Sequence, residues 1–121
     1  MANPSKQRGT EWESRIRDGA RKRGGKAERI ALSGGGDEGD LVLEWFDRDG
    51  SNRMAVVEAK ATKHFDFSGF VNQAIEERDH YCAKRGIDPR TVEAVAFVKR
   101  RNHPWQKGFA ITTIDEYLRS E

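Results

Sequence analysis

The sequence predicts an α/β domain: a central mixed β-sheet flanked by helices, in the order α-β-β-β-α-β-β-α. Three observations carry this. The run Met54-Ala55-Val56-Val57-Glu58-Ala59-Lys60 is short, apolar and partly β-branched, as a buried strand requires. Two other segments hold apolar residues at helical spacing: Trp12, Ile16 and Ala20 in one, and Phe70, Val71, Ala74, Ile75 and Cys82 in the other. Clusters of Gly, Asp and Pro punctuate the chain between these runs.

Taken in order, residues 1–8 are polar and expected to fray. Thr10-Glu11-Trp12-Glu13 has the form of a capping box, which predicts a helix from Thr10 to about Arg23, ended by Gly24-Gly25. Arg29 to Ser33 reads as a short strand, and Gly34-Gly35-Gly36-Asp37-Glu38-Gly39 as a loop. Asp40 to Phe46 and Arg53 to Ala61 form a hairpin around Asp47-Arg48-Asp49-Gly50-Ser51. A helix from about Ser68 to Arg85 follows, capped by Gly86, and Asp88-Pro89 turns the chain. Val92 to Val98 and Gly108 to Thr112 complete the strands, and Thr113-Ile114-Asp115-Glu116 is a capping box for a terminal helix. With 121 residues and neither repeat nor linker, the chain is one domain over 1–121.

Composition narrows the function classes. Hydrophobic residues make up 36% and charged residues 35%, a small core under a heavily charged surface. No apolar run approaches the roughly 20 residues of a membrane span, and no signal-peptide core is visible. A single cysteine, Cys82, excludes an internal disulfide, and His64, His80 and His103 lack zinc spacing. A cytoplasmic setting, in a prokaryotic or phage-infected cell, is the expectation. The net charge is only +2, yet residues 1–29 hold nine Lys/Arg against four acids, and residues 30–60 hold seven acids against three bases. A polyanion held at the edges and a cation held in the middle would suit that division, as would a solvated helix face followed by a loop.

Chemistry concentrates at Glu58 and Lys60. Two residues apart on a strand, they project from one face of the sheet. Charged groups at the end of a buried strand need partners, because an unpaired buried charge is strongly disfavoured. Asp40 on the neighbouring strand is the natural partner, subject to register. Closing the hairpin at Phe46–Arg53 puts Asp40 opposite Ala59 and on the wrong face; closing it at Phe46–Asn52, or adding a bulge, sets it opposite Glu58. Two carboxylates suit Mg²⁺ or Mn²⁺, and a nearby lysine suits a phosphate.

With Glu13 on the first helix and Gln73 on the second, this set resembles the PD-(D/E)xK nuclease superfamily. Within it, the likeness is greatest to the Holliday-junction resolvases of archaea and their phage relatives. Arg8-Gly9-Thr10-Glu11-Trp12-Glu13 matches their basic residue and Gly ahead of a helical Glu. Ser33-Gly34-Gly35-Gly36 matches the Ser/Gly-rich loop before the motif Asp, and Ala61-Thr62 the small residue and Ser/Thr after Glu-x-Lys. The resemblance covers residues 8–82, with Gly39 standing where a proline usually precedes the Asp. It implies a restriction-endonuclease-like core and a divalent-metal-dependent endonuclease that resolves Holliday junctions. Asp40, Glu58 and the carbonyl of Ala59 would bind the metal, and Glu13 would reach it directly or through water. Lys60 would position the attacking water or stabilise transition-state charge, and Gln73 would orient part of the site.

Other readings stand beside these. Glu13 is also the acid of a capping box and lies four residues before Arg17. Glu58 and Lys60 also suit an ion pair at a sheet edge, and Asp40 a turn acid. Arg8, Arg15, Arg21, Lys22 and Arg23 form no compact recognition pattern, so they are expected to hold DNA phosphates, with Ser33 contacting one near the site. Trp105, among Lys99, Arg100, Arg101 and Lys107, would stack on DNA or anchor a hairpin. Two incisions in opposed strands call for a homodimer, with Phe65, Phe67 and Phe70 either at its interface or filling the core. The rival functions are a related nuclease acting on flaps, nicks or duplex DNA, and a non-catalytic nucleic-acid-binding protein.

Overall fold

Five strands in the order β1-β2-β3-β4-β5 form one mixed sheet in the computed structural model, which describes residues 4–30 and 40–119. Helix α1 (Pro4–Lys22) leads into strand β1 (Lys26–Arg29), and the hairpin β2 (Leu41–Phe46) and β3 (Asn52–Lys60) into helix α2 (Phe67–Arg85). Then come β4 (Glu93–Val98), β5 (Phe109–Ile111) and the short helix α3 (Ile114–Tyr117). All neighbours are antiparallel except β3 and β4, which run parallel because α2 carries the chain back between them.

Each face of the sheet has its helix. Trp12 and Ile16 of α1 bury against Leu41, Leu43, Ala55 and Val57, while Tyr81 and Cys82 of α2 bury against Val56 and Val92. The two sets alternate along β3, as period two demands. Trp12 also donates its indole N–H to the Phe97 carbonyl at 2.9 Å, tying α1 to the far side of the sheet. Gly86, with φ +65°, ends α2 in the left-handed conformation that side chains disfavour.

Two boundaries and one buried face differ from the sequence reading. The first helix begins at Pro4, not Thr10, so residues 4–8 are helical and not frayed. Proline is pre-organised for a helical first turn, and the polar residues after it are good helix formers. Thr10 lies inside the helix, where its carbonyl accepts from Arg29 at 3.1 Å. Strand β1 falls at 26–29 and not 29–33, directly after the double glycine, pairing Lys26 with Glu44 and burying Ala27. Residues 31–33 lie outside the described residues. The second helix buries Glu77, Arg78 and Tyr81, whereas Phe70 and Ile75 are only half-buried.

Buried charge is handled by pairing. The Arg78 guanidinium donates to Glu116 at 2.7 Å and to the Val92 carbonyl at 2.7 Å, clamping α2, β4 and α3 together. Arg53 forks onto Glu93 across β3 and β4, donating from Nε at 2.9 Å. Trp105 anchors the turn before β5: its indole lies so close over α1 that a Cβ on Gly19 would sit 2.1 Å from it. Arg23 covers it at 5.1 Å.

Candidate active site

The hairpin register decides the site. Phe46 pairs with Asn52 and Leu41 with Val57, so Asp40 arrives opposite Glu58 at the end of the ladder. This is the register that puts both carboxylates on one face. The Asp40 N–H donates to the Val57 carbonyl at 3.1 Å, and its carboxylate accepts from the Ala59 N–H at 2.8 Å. That bond fixes the Asp40 side chain across the strand end that carries Glu58 and Lys60. The cluster lies at the carboxyl ends of the parallel pair β3 and β4, where open α/β sheets form their crevices.

Four carboxyl groups line up there. Glu58, 5% exposed, stands between Asp40 and Glu77, each near enough to hydrogen-bond it when protonated. Glu13 adds a fourth from α1, within electrostatic reach of Asp40. It is held by Arg29, at 3.9 Å, rather than by a role in a capping box. Lys60 is 3.2 Å from Glu58 and sits over the Phe70 ring at 5.5 Å. Gln73 donates to Glu77 at 2.9 Å and to Glu58 at 3.4 Å, bridging α2 to the sheet.

The electrostatics follow from that crowding. Burial, then the neighbouring Glu58, pushes the Asp40 carboxyl up to about 7 despite the Ala59 N–H and Lys60. Burial, then the hydrogen bond and charge of Glu77, pushes Glu58 up to about 8, with Lys60 opposing. Glu13 is raised by burial and by Asp40, and lowered by Arg29. Neighbouring carboxylates that cannot all ionise together need a proton or a cation between them.

Glu77 is the member of the carboxyl cluster that the sequence reading missed. Its signal was present: three residues after Ala74 and four before Tyr81, it occupies the apolar stripe of α2, where a carboxylate is out of place without a partner. The structure brings Glu13, Asp40, Glu58, Lys60 and Gln73 together. Ser33, with Asp37 and Glu38, lies outside the described residues. The basic residues Arg8, Arg15, Arg21, Lys22 and Arg23 are all exposed; Arg21 also donates to the Ala27 carbonyl at 3.0 Å and pairs with Glu28, and Arg23 covers Trp105.

Among the described residues, no three His, Cys, Asp or Glu side chains form a set that holds a metal ion as they stand. The donor chemistry nonetheless fits a hard cation with a partly aqueous shell: oxygen ligands only, crowded enough to resist ionisation alone. A separate cavity of about 680 Å³, lined by Arg78, Arg90, Glu116 and Arg119, lies at the other end of β4. There Arg78 and Arg119 share the Glu116 carboxylate, and Arg78 also pairs with Asp79. No family model, curated protein or solved structure matches this chain significantly. No helix among the described residues is long and apolar enough to cross a membrane.

Proposed function

We propose that the chain is a divalent-metal-dependent DNA endonuclease that hydrolyses phosphodiesters at branched DNA, with Holliday junctions as its substrate. The observation that carries this reading is the Asp40–Glu58 pair beside Lys60. A buried and a half-buried carboxylate held on one face, both raised far above their ordinary values, have the chemistry of an Mg²⁺ or Mn²⁺ site. The resemblance of the Glu13, Asp40, Glu58, Lys60 and Gln73 set to the PD-(D/E)xK nucleases agrees.

Asp40 and Glu58 would hold the metal with the Ala59 carbonyl, and Glu13 would reach it from α1. The bound cation supplies the positive charge that a phosphodiester needs before water can attack it. Lys60, fixed between Glu58 and Phe70, presents an ammonium to the reacting phosphate and its water. Gln73 holds Glu58 and Glu77 in place through its amide N–H group, so that Glu58 keeps one orientation as its charge changes. Exposed Arg8, Arg15 and Lys22 on α1 suit the flanking phosphates. A role in DNA recombination, in the cytoplasm of a prokaryotic or phage-infected cell, goes with this reading, as does a homodimer.

The test is incision of end-labelled four-way junction, flap, nicked and linear duplex DNA by the purified protein, with Mg²⁺ and with EDTA. Symmetrical cuts in the junction that vanish in EDTA are expected. Equal cutting of all four substrates would move the reading to a general nuclease of the same type, and binding without cutting to a non-catalytic protein.

A further inference from the structure

An exposed aromatic shelf stands beside the carboxylate row. Phe65 and Phe67 are 51% and 43% exposed and stack on each other, 5.4 Å between centroids and 18° between planes. Phe109, 38% exposed, meets Phe65 edge-on at 6.5 Å. These rings do not fill the core. The sheet register places Phe109: Lys60 pairs with Val98, and Val98 with Phe109, so Lys60, Val98 and Phe109 project from one face. Strands lie about 4.8 Å apart, which sets the shelf on the order of 10 Å from Lys60.

Charge decides what covers it. Arg100 stands over the Phe109 ring at 5.6 Å, and Lys60 over Phe70 at 5.5 Å. The two segments that build the shelf, residues 60–67 and 99–109, hold Lys60, Lys63, Lys99, Arg100, Arg101 and Lys107 against a single acid. That acid, Asp66, is occupied as the N-cap of α2. A second copy docked here by two-fold symmetry would set these cations against themselves. Flat apolar faces ringed by cations instead match unpaired nucleobases on a phosphate backbone.

We infer that Phe65, Phe67 and Phe109 stack on unpaired bases of the DNA strand whose phosphate enters the carboxylate site. The inference rests on the nuclease reading and narrows it. The substrate is a strand opened next to the cut, as at a branch point or a single-stranded end, and duplex flanks are held elsewhere by phosphate contacts alone. A homodimer must then close through another face.

The experiment is binding in EDTA, so that no cutting occurs, of oligonucleotides carrying 2-aminopurine in a single-stranded overhang or in plain duplex. Wild type should bind the overhang and change its fluorescence. Phe65→Ala/Phe67→Ala should lose at least about tenfold in overhang affinity, the order of magnitude of base–aromatic stacking, with duplex affinity unchanged. Phe65→Leu/Phe67→Leu, which keeps apolar area without rings, should be as weak, and Phe65→Tyr/Phe67→Tyr should recover. Equal binding by the leucine and wild-type proteins would overturn the inference. So would alanine variants that bind as wild type does but sediment as a smaller species, which would make the shelf a protein interface. Incision with Mg²⁺ reads the carboxylate site separately. A protein that stacks bases and never cuts keeps the shelf and loses the nuclease reading.

Discussion

Glu58 carries the tension of the site. It is buried among Asp40, Glu77 and Lys60, and one lysine cannot neutralise three acids. The consequence is a pH dependence of known sign. Asp40 and Glu58 titrate at about 7 and about 8 in the folded chain, against ordinary values of 3.8 and 4.5. Across that interval the folded state holds more protons than the unfolded chain, so stability falls as pH rises. In EDTA, Tm should decline from about pH 5 to about pH 8, and Glu58→Gln should flatten the decline. Mg²⁺ should stabilise the protein more at the upper end of that range, because the ligands there have fewer protons to give up. A wild-type Tm that climbs over the same interval would remove the crowded-carboxylate picture.

Among the elements, α1 is held by a close approach in addition to the burial of Trp12 and Ile16. Gly19 lets the Trp105 indole lie against the helix backbone, with the Arg23 guanidinium over the ring. Gly19→Ala should gain about 0.5–1 kcal/mol in helix propensity but lose about 1–3 kcal/mol to overpacking, a net destabilisation visible in urea melts. In a Trp105→Ala background the same substitution should become neutral or stabilising, since the clash is gone. Destabilisation of equal size in both backgrounds would show that the indole is not the cause. The elements were legible where one period ran unbroken, as in β3 and β4, or where punctuation marked the ends, as at Gly86 after α2 and at the Thr113 cap. Asp40, Glu58 and Lys60 were legible for the same reason, once the alternative registers were written out. The start of α1 was not, because Thr10-Glu11-Trp12-Glu13 has the local form of a cap while the chain before it also favours helix. Strand β1 buries only Ala27, too weak a pattern to fix its position. Glu77 and Arg78 interrupt the apolar stripe of α2, and their partners, Glu58 and Glu116, are distant in sequence.

At the scale of the whole molecule, α1 and the segment after β4 are rich in Lys and Arg, whereas residues 30–60 are acidic. DNA held by phosphates in this way should bind with steep salt dependence. Removing Arg15 and Lys22 together should reduce the slope of log K against log salt by roughly 0.9 for each phosphate no longer neutralised, with little change in preference among sequences. Affinity indifferent to salt would exclude α1 as the holding surface. On the proposed reading two opposed incisions need two sites, which a C₂ dimer would supply. Sedimentation at working concentration should give a dimer, and Phe65→Ala/Phe67→Ala should leave it intact if those rings face DNA. A strictly monomeric protein making unpaired nicks would point to a general nuclease.

The most direct measurement is incision of a labelled four-way junction by wild-type protein and Asp40→Asn, purified in parallel and assayed over an Mg²⁺ titration. Asparagine can still accept the Ala59 N–H, so the fold and DNA binding should persist while a metal-ligating charge is lost. Wild type should cut in proportion to metal occupancy, and Asp40→Asn should bind the junction with unchanged affinity yet cut at least about a hundredfold more slowly, a loss of roughly 2.7 kcal/mol in transition-state stabilisation. Cutting by Asp40→Asn at the wild-type rate, or by wild type in EDTA, would contradict a metal site built on Asp40 and Glu58.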